Sequence, residues 1–249
     1  GVMAAKAGTI INNVALECGL ITAAVADPYA STEQNIVQLR TLLDVAGRDL
    51  ANAYDWPQLI TSGMMNPANP PWEPPEYFLR FISGTEWSSG LNSPILPLTV
   101  QQWAATQGLD ITTSAIPLYA MIFGGIRTIP STGGAGTDVW SFYFIHKWWT
   151  ILAASAPTKV EAEHYGVGDQ ELPTQTSDWI IFDEHTISRL LKVKFLQAKG
   201  LDSTAATAEY KDALEAAKSS FTAGTLSLAK TGGFRFIDAS NAPDTGYGS

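Results

Sequence analysis

The sequence is short of cysteine, of histidine and of positive charge, and each shortage removes a class of protein. A single cysteine, Cys18, cannot form an internal disulfide, and its helical context reads as a small buried residue rather than a reactive thiol. Fifteen Lys and Arg stand against 24 Asp and Glu, a formal net charge of −9, which argues against a protein that grips nucleic acid by its phosphates. The histidines His146, His164 and His185 lack metal-ligand spacing, and His146 beside Lys147 and Trp148 is expected at a surface or interface. No apolar run reaches the roughly 20 residues that a membrane helix needs. The longest, residues 115–126, is interrupted by Pro117 and a glycine pair. No signal peptide is read at the N-terminus, so the chain is expected to be soluble and intracellular when made.

What is present is a long chain rich in aromatics. Its 249 residues include 8 Trp, 8 Tyr and 10 Phe, enough to bury a sizeable core and to argue against disorder over most of the length. The clearest helix spans 31–56. Ile36, Leu39, Leu43, Ala46, Leu50 and Ala53 alternate steps of three and four and form one stripe, while Gln34, Gln38, Thr41, Asp44, Arg48 and Asn52 fall on the wet side. Ser31 and Gln34 have capping-box spacing, Glu33 suits the positive end of the dipole, and Pro57 after Trp56 excludes another turn. Before it, residues 9–20 read as a first helix with Ile10, Ile11 and Val14 inward and Gly19 as its stop, and Asp27-Pro28-Tyr29 turns into the second helix to make an αα-hairpin.

From Pro57 the texture changes. Pro67, Pro70, Pro71, Pro74 and Pro75 crowd a short interval, and helical periodicity is lost. Residues 79–83 and 119–123 read as strands, Gly124-Gly125 as a hairpin turn, and 137–145 as a strand with Trp140, Phe142 and Phe144 on one face. Thr99 and Gln102 repeat the capping-box spacing before a short helix that Gly108 ends. Helical texture returns at Asp183. Ile187, Leu191, Phe195 and Ala198 form a stripe widened by Leu190 and Val193, and Gly200-Leu201 closes it as a Schellman cap. A fourth helix spans 204–221 with Tyr210, Leu214, Ala217 and Phe221 on one side. The expected fold is mainly α: a four-helix bundle from residues 1–56 and 183–221, a β-rich insertion and connector at 57–182, and an extended C-terminal tail at 222–249. Its core is expected to contain Ile36, Leu39, Leu43, Leu50, Trp56, Ile187, Leu191, Phe195, Leu214 and Phe221.

No catalytic constellation stands out. The run 133–136 lacks the Lys-Ser/Thr of a phosphate loop and reads as a hairpin loop. Glu161, Glu163 and Glu171 could supply a carboxylate pair for glycoside cleavage but lie in a polar connector, where solvated acids are expected. Trp140, Phe142, Trp148 and Trp149 suit a core or subunit contact better than base or sugar stacking in so acidic a chain.

The order of parts carries more. A helical hairpin ends in Tyr54-Asp55-Trp56, a proline-rich exit leads to a β-rich insertion with Lys147-Trp148, and a helix ends in Gln197-Ala198-Lys199-Gly200-Leu201-Asp202 before another through Tyr210. This pattern resembles the head-to-tail adaptor proteins of tailed bacteriophages, including the tail tubular protein A-like group. The resemblance implies a structural virion protein without enzymatic activity or cofactor: a homo-oligomeric ring of roughly twelve copies, closed by a heterologous interface. It would dock on the portal protein and carry the next tail or nozzle protein. DNA would pass through its lumen without sequence-specific binding, and the location would be the virion neck, with host cytoplasm during assembly and no membrane. The portal contact is expected in the tail, at Phe234, Arg235, Phe236, Ile237 and Tyr247. The alternatives are a phage cell-wall hydrolase, which needs a pocketed carboxylate of raised pKa, and a carbohydrate-binding virion module, which needs aromatics exposed in a cleft.

Overall fold

In the computed structural model, which describes residues 5–67, 73–112, 114, 117–122, 125–129, 139–152 and 170–222, five α-helices are interleaved with eleven strands in three sheets. The architecture is mixed α/β, which corrects the expectation of a mainly α protein built on a four-helix bundle. The helices α1 (Ala7–Glu17), α2 (Gln34–Ala53), α4 (Glu184–Ala198) and α5 (Thr204–Thr222) carry the expected stripes, and α4 packs on the other three. They do not close on one another alone. The same core takes in Ile145, Trp149, Ile151, Ile180 and Phe182 from strands and connections. At Gly47 the face of α2 is occupied by the Trp149 indole, so close that a Cβ there would lie 2.2 Å from the ring.

Helix ends show which local signals the fold uses. After α1 the Gly19 amide donates to the Leu16 carbonyl and the Leu20 amide to Ala15, and after α4 the Gly200 and Leu201 amides donate to Gln197 and Leu196. Both glycines have positive φ, 66° and 68°, so these are Schellman caps at positions where a side chain would be strained. Asp183 caps α4 by accepting from the Thr186 amide at 2.9 Å. The Ser31 and Gln34 box does not form. Ser31 instead accepts from the Glu33 amide in a local turn, and α2 begins at Gln34 with Glu33 as an N-cap that makes no side-chain bond. It also ends early, at Ala53, because Tyr54 is extended; Pro57 opens a one-turn 3-10 helix, Pro57–Leu59. The first amides of α1 are satisfied by a loop, Ala7 donating to the Asp178 carbonyl at 2.8 Å and Gly8 to Thr176 at 3.0 Å.

That loop leads into the first sheet, whose order is β1 (Ala5–Lys6), β11 (Trp179–Ile180), β10 (Thr150–Ile151), all antiparallel. The second sheet runs β2 (Ile60–Met65), β9 (Trp140–His146), β4 (Trp87–Ser88), β5 (Ser93–Pro94), with β3 (Phe78–Phe81) also paired to β9. In the third, β6 (Leu96–Pro97) is parallel to β7 (Leu118–Ile122), which is antiparallel to β8 (Gly125–Ile129). Ile122 opposes Gly125, so Gly125 belongs to the strand; residues 123–124 lie outside the described set. The crossover from β6 to β7 contains α3 (Val100–Gly108), whose capping box does form: Thr99 accepts from the Gln102 amide at 3.2 Å and Gln102 from the Thr99 amide at 2.8 Å. Trp140, Phe142 and Phe144 enter a second core with Met65, Ile95, Tyr119 and Ile126, whereas Ile145 of the same strand enters the first. Alternation along β9 thus feeds two cores from one strand.

Candidate docking surface and polar clusters

Of the residues expected in the helical core, Ile36, Leu39, Leu43, Leu50, Ile187 and Leu191 are fully buried, Trp56 and Phe195 nearly so, and Leu214 half-buried. The Phe221 side chain lies outside the described residues. Ala198, the last member of the α4 stripe, is exposed. Trp56 is fixed at the end of α2 by donating its indole N–H to the Leu50 carbonyl at 2.6 Å and by edge contact with Phe182, which stacks on Trp149. Trp140, Phe142 and Trp149 are buried and Trp148 half-buried, so this cluster is chiefly core rather than a stacking platform. His146 is buried against the edge of Tyr77, which corrects its expected surface position. The reason is register: at the end of β9 it continues the even-numbered face that carries Phe142 and Phe144.

Several ion pairs act as ties between helices. On α4, Arg189 and Lys192 both reach Glu17 of α1, at 2.5 and 2.8 Å, and Glu209 of α5, at 3.1 and 3.6 Å. Burial pushes the Glu17 carboxyl up, but hydrogen bonds from Lys192 and Arg189 outweigh it and hold the pKa below its ordinary value; the bond to Glu17 raises that of Lys192. Lys194 pairs with Asp49 of α2 at 2.5 Å. Asp178, wholly buried, collects amides of Thr174 and Gln175, and these donors overcome burial to keep its pKa low. Glu171, one of the acids weighed for glycoside cleavage, pairs with Arg48 at 2.8 Å; Glu161, Glu163 and His164 lie outside the described residues. An open groove of about 390 Å³ is lined by Asn13, Glu17, Asp183, Glu184, His185, Ser188 and Arg189. Its acids are already committed, Asp183 to the cap, Glu184 to Asn13 and Glu17 to Arg189, and the Ser188 hydroxyl in its lining makes no hydrogen bond to His185 or any other described base. Inside the second core, Glu86 accepts from the Tyr119 hydroxyl at 2.7 Å and the Gly84 amide at 2.9 Å, beside a void of about 10 Å³, no larger than one water. Among the described residues no three His, Cys, Asp or Glu converge as metal ligands, and no helix is long and apolar enough to cross a membrane.

The most extensive unsatisfied feature is apolar. Met64, Ser141, Trp87 and Pro94 are successive cross-strand partners on β2, β9, β4 and β5, and form one row on the outer face of the second sheet. Met64 is 70% exposed and Trp87 42%, with Tyr143 (49%) on the same face of β9. Leu96, in β6 of the third sheet, is 45% exposed, and α3, next in sequence, has Val100 61% exposed, with Leu109 just beyond at 73%. Sequence reading missed this face because a half-exposed row across four strands has no signal along any one of them. It also missed the tie through Arg189 and Lys192, although their spacing of three on α4 puts them on neighbouring positions of one face. The expected portal contacts Phe234, Arg235, Phe236, Ile237 and Tyr247 lie outside the described residues. No family model and no curated protein sequence matches the chain.

Proposed function

We propose that this chain is a structural head-to-tail adaptor of a tailed bacteriophage, a subunit of a ring of roughly twelve copies that docks on the portal and carries the next tail component. The observation that carries the reading is the pairing of a tied helical layer with a broad apolar face that the subunit leaves uncovered. Ion pairs among α1, α4 and α5 and the seated Trp56 give a body that can transmit load, and an exposed face of this kind is what association requires. The order of a helical hairpin ending at Trp56, a β-rich passage and a glycine-capped helix before another supports the same reading. The acids of the open groove are committed to a cap, a hydrogen bond and an ion pair, which weighs against a hydrolase there, and the burial of Trp140, Phe142 and Trp149 weighs against a sugar-binding cleft built on them. With a net charge of −9 the ring lumen would repel rather than hold DNA in transit.

Electron microscopy of the purified protein, alone and mixed with portal rings of the same virion, tests the proposal. Rings decorated by a symmetric collar of added density are expected. Absence of any collar at concentrations well above those of assembly overturns it.

A further inference from the structure

We propose that the outer face of the second sheet is a contact surface for a second copy of this chain, and that its occupant is the neighbour's α3. The inference builds on the ring reading, and names the two faces through which adjacent subunits would meet.

Charge decides the partner. Only seven of the 39 charged residues fall between positions 57 and 146, and none lies between Trp87 and Leu109. A solvated surface is ordinarily about 25–35% charged, so an exposed stretch without charge is built for contact, and depletion of charge is the mark of an interface core. A basic partner of this acidic chain would be recognised through carboxylates, and Met64, Ser141, Trp87, Pro94, Leu96 and Tyr143 offer none. Copies of a −9 chain repel wherever their acids are dense. They meet without opposed like charges where both surfaces are neutral.

The helix α3 supplies the matching surface. Its nine residues, VQQWAATQG, contain no charged side chain and none that is buried. A helix this short is below the about 12–15 residues at which isolated helices become even marginal, so it depends on packing. Within the subunit it packs on β7, leaving Val100 and Leu109 in solvent. Sheet face and helix are different surfaces of one subunit. Repeated head to tail, contact between them is heterologous, the type that closes into rings, whereas the reciprocal pairing would stop at a two-fold dimer.

Two full-length variants test this, Trp87→Glu on the sheet and Val100→Lys on the helix, with Met64→Lys as a second sheet variant; all three sites are exposed, and unfolding curves check that each folds. Sedimentation velocity is run on each alone, on an equimolar mixture of Trp87→Glu and Val100→Lys, and on wild type, and copies captured per portal ring are counted. The expected result is association in wild type, at least tenfold weaker association for each variant alone, and recovery only as far as heterodimers in the mixture, where the intact sheet of Val100→Lys meets the intact helix of Trp87→Glu. If wild type is monomeric in free solution, the count on portal rings decides: at least tenfold fewer copies of each variant supports the contact. Variants that associate or load like wild type overturn it. Loss with Trp87→Glu but not Val100→Lys also overturns it, since sheet would then meet sheet. Association that follows the expected pattern without portal capture leaves this contact standing and removes the adaptor reading. Collars that load fully with all three variants do the reverse.

Discussion

His146 and Asp44 are titratable groups buried without full hydrogen bonding, and they give stability opposite dependences on pH. His146 lies at the end of β9 with no partner for Nε2 among the described residues, and burial lowers its pKa to about 4. The folded value is below the ordinary 6.5, so as pH falls the unfolded chain takes up the proton first. The contribution is whole above about pH 6.5 and is lost toward pH 4. At about 1.4 kcal/mol per unit, wild type should lose about 2 kcal/mol more than His146→Gln between pH 7 and 4.5 in urea unfolding; parallel losses would refute the assignment. Asp44 sits on α2 one turn from both Arg40 and Arg48, yet burial outweighs them and raises its pKa to about 6. Its Oδ1 is buried and lacks a partner among the described residues. Here the folded value lies above the unfolded one, so the penalty is absent below about pH 3.8 and complete above about pH 6. Because the group is only half-buried the full shift is discounted. Asp44→Asn should stabilise by about 1 kcal/mol at pH 7.5 and confer nothing near pH 3.8. An advantage that did not change with pH would point to packing instead.

At the scale of elements, Gly47 shows how α2 is held. Helix propensity alone would reward Gly47→Ala by about 1 kcal/mol. The fully buried Trp149 ring leaves no room for the methyl group, and overpacking of this kind costs about 1–3 kcal/mol. The substitution is therefore expected to lower the unfolding midpoint, and a rise would mean that the indole can move aside. Leu43→Ala, in the same wholly buried stripe, should cost about 2–5 kcal/mol. These helices were legible in the sequence because their stripes are long: Ile36 to Leu50 and Ile187 to Phe195 give several repeats of the helical period. So were the glycine stops at Gly19 and Gly200, the Thr99 box, and the alternation of Trp140, Phe142 and Phe144. The strands Ala5–Lys6, Thr150–Ile151 and Trp179–Ile180 were not legible, since two residues have no period and their pairing joins segments far apart in the chain. That omission turned a shared α/β core into an expected helical bundle. The Ser31 box failed for a related reason, because spacing cannot tell a cap from a turn that uses the same hydroxyl one step earlier.

Across the whole molecule, charge and apolar surface are divided. The described segments around α1, α2, α4 and α5 carry the ion pairs to Glu17, Asp49, Glu171 and Glu209, and Arg80 of β3 pairs with Asp55 just past α2, while the row from Met64 to Pro94 and α3 carry no charge. In the adaptor reading, self-contact and portal contact then fall to different parts, and the C-terminal sequence is the candidate for the second. Phe234, Phe236 and Ile237 flank Arg235 in a stretch otherwise rich in Gly, Ser, Thr and Ala, the spacing of a segment that can add main-chain hydrogen bonds to a partner's sheet while alternate side chains fill pockets. Among the described residues the C-terminal buried member of the helical core is Ala217, and Lys218 lies 5.9 Å over the Tyr54 ring. Truncation after Leu228 should therefore leave the thermal unfolding midpoint unchanged. Capture by portal rings should weaken by on the order of tenfold or more, equivalent to about 1.4 kcal/mol. Co-sedimentation of the truncated and full chains with portal rings measures the difference, and equal capture would move portal recognition to the helical layer.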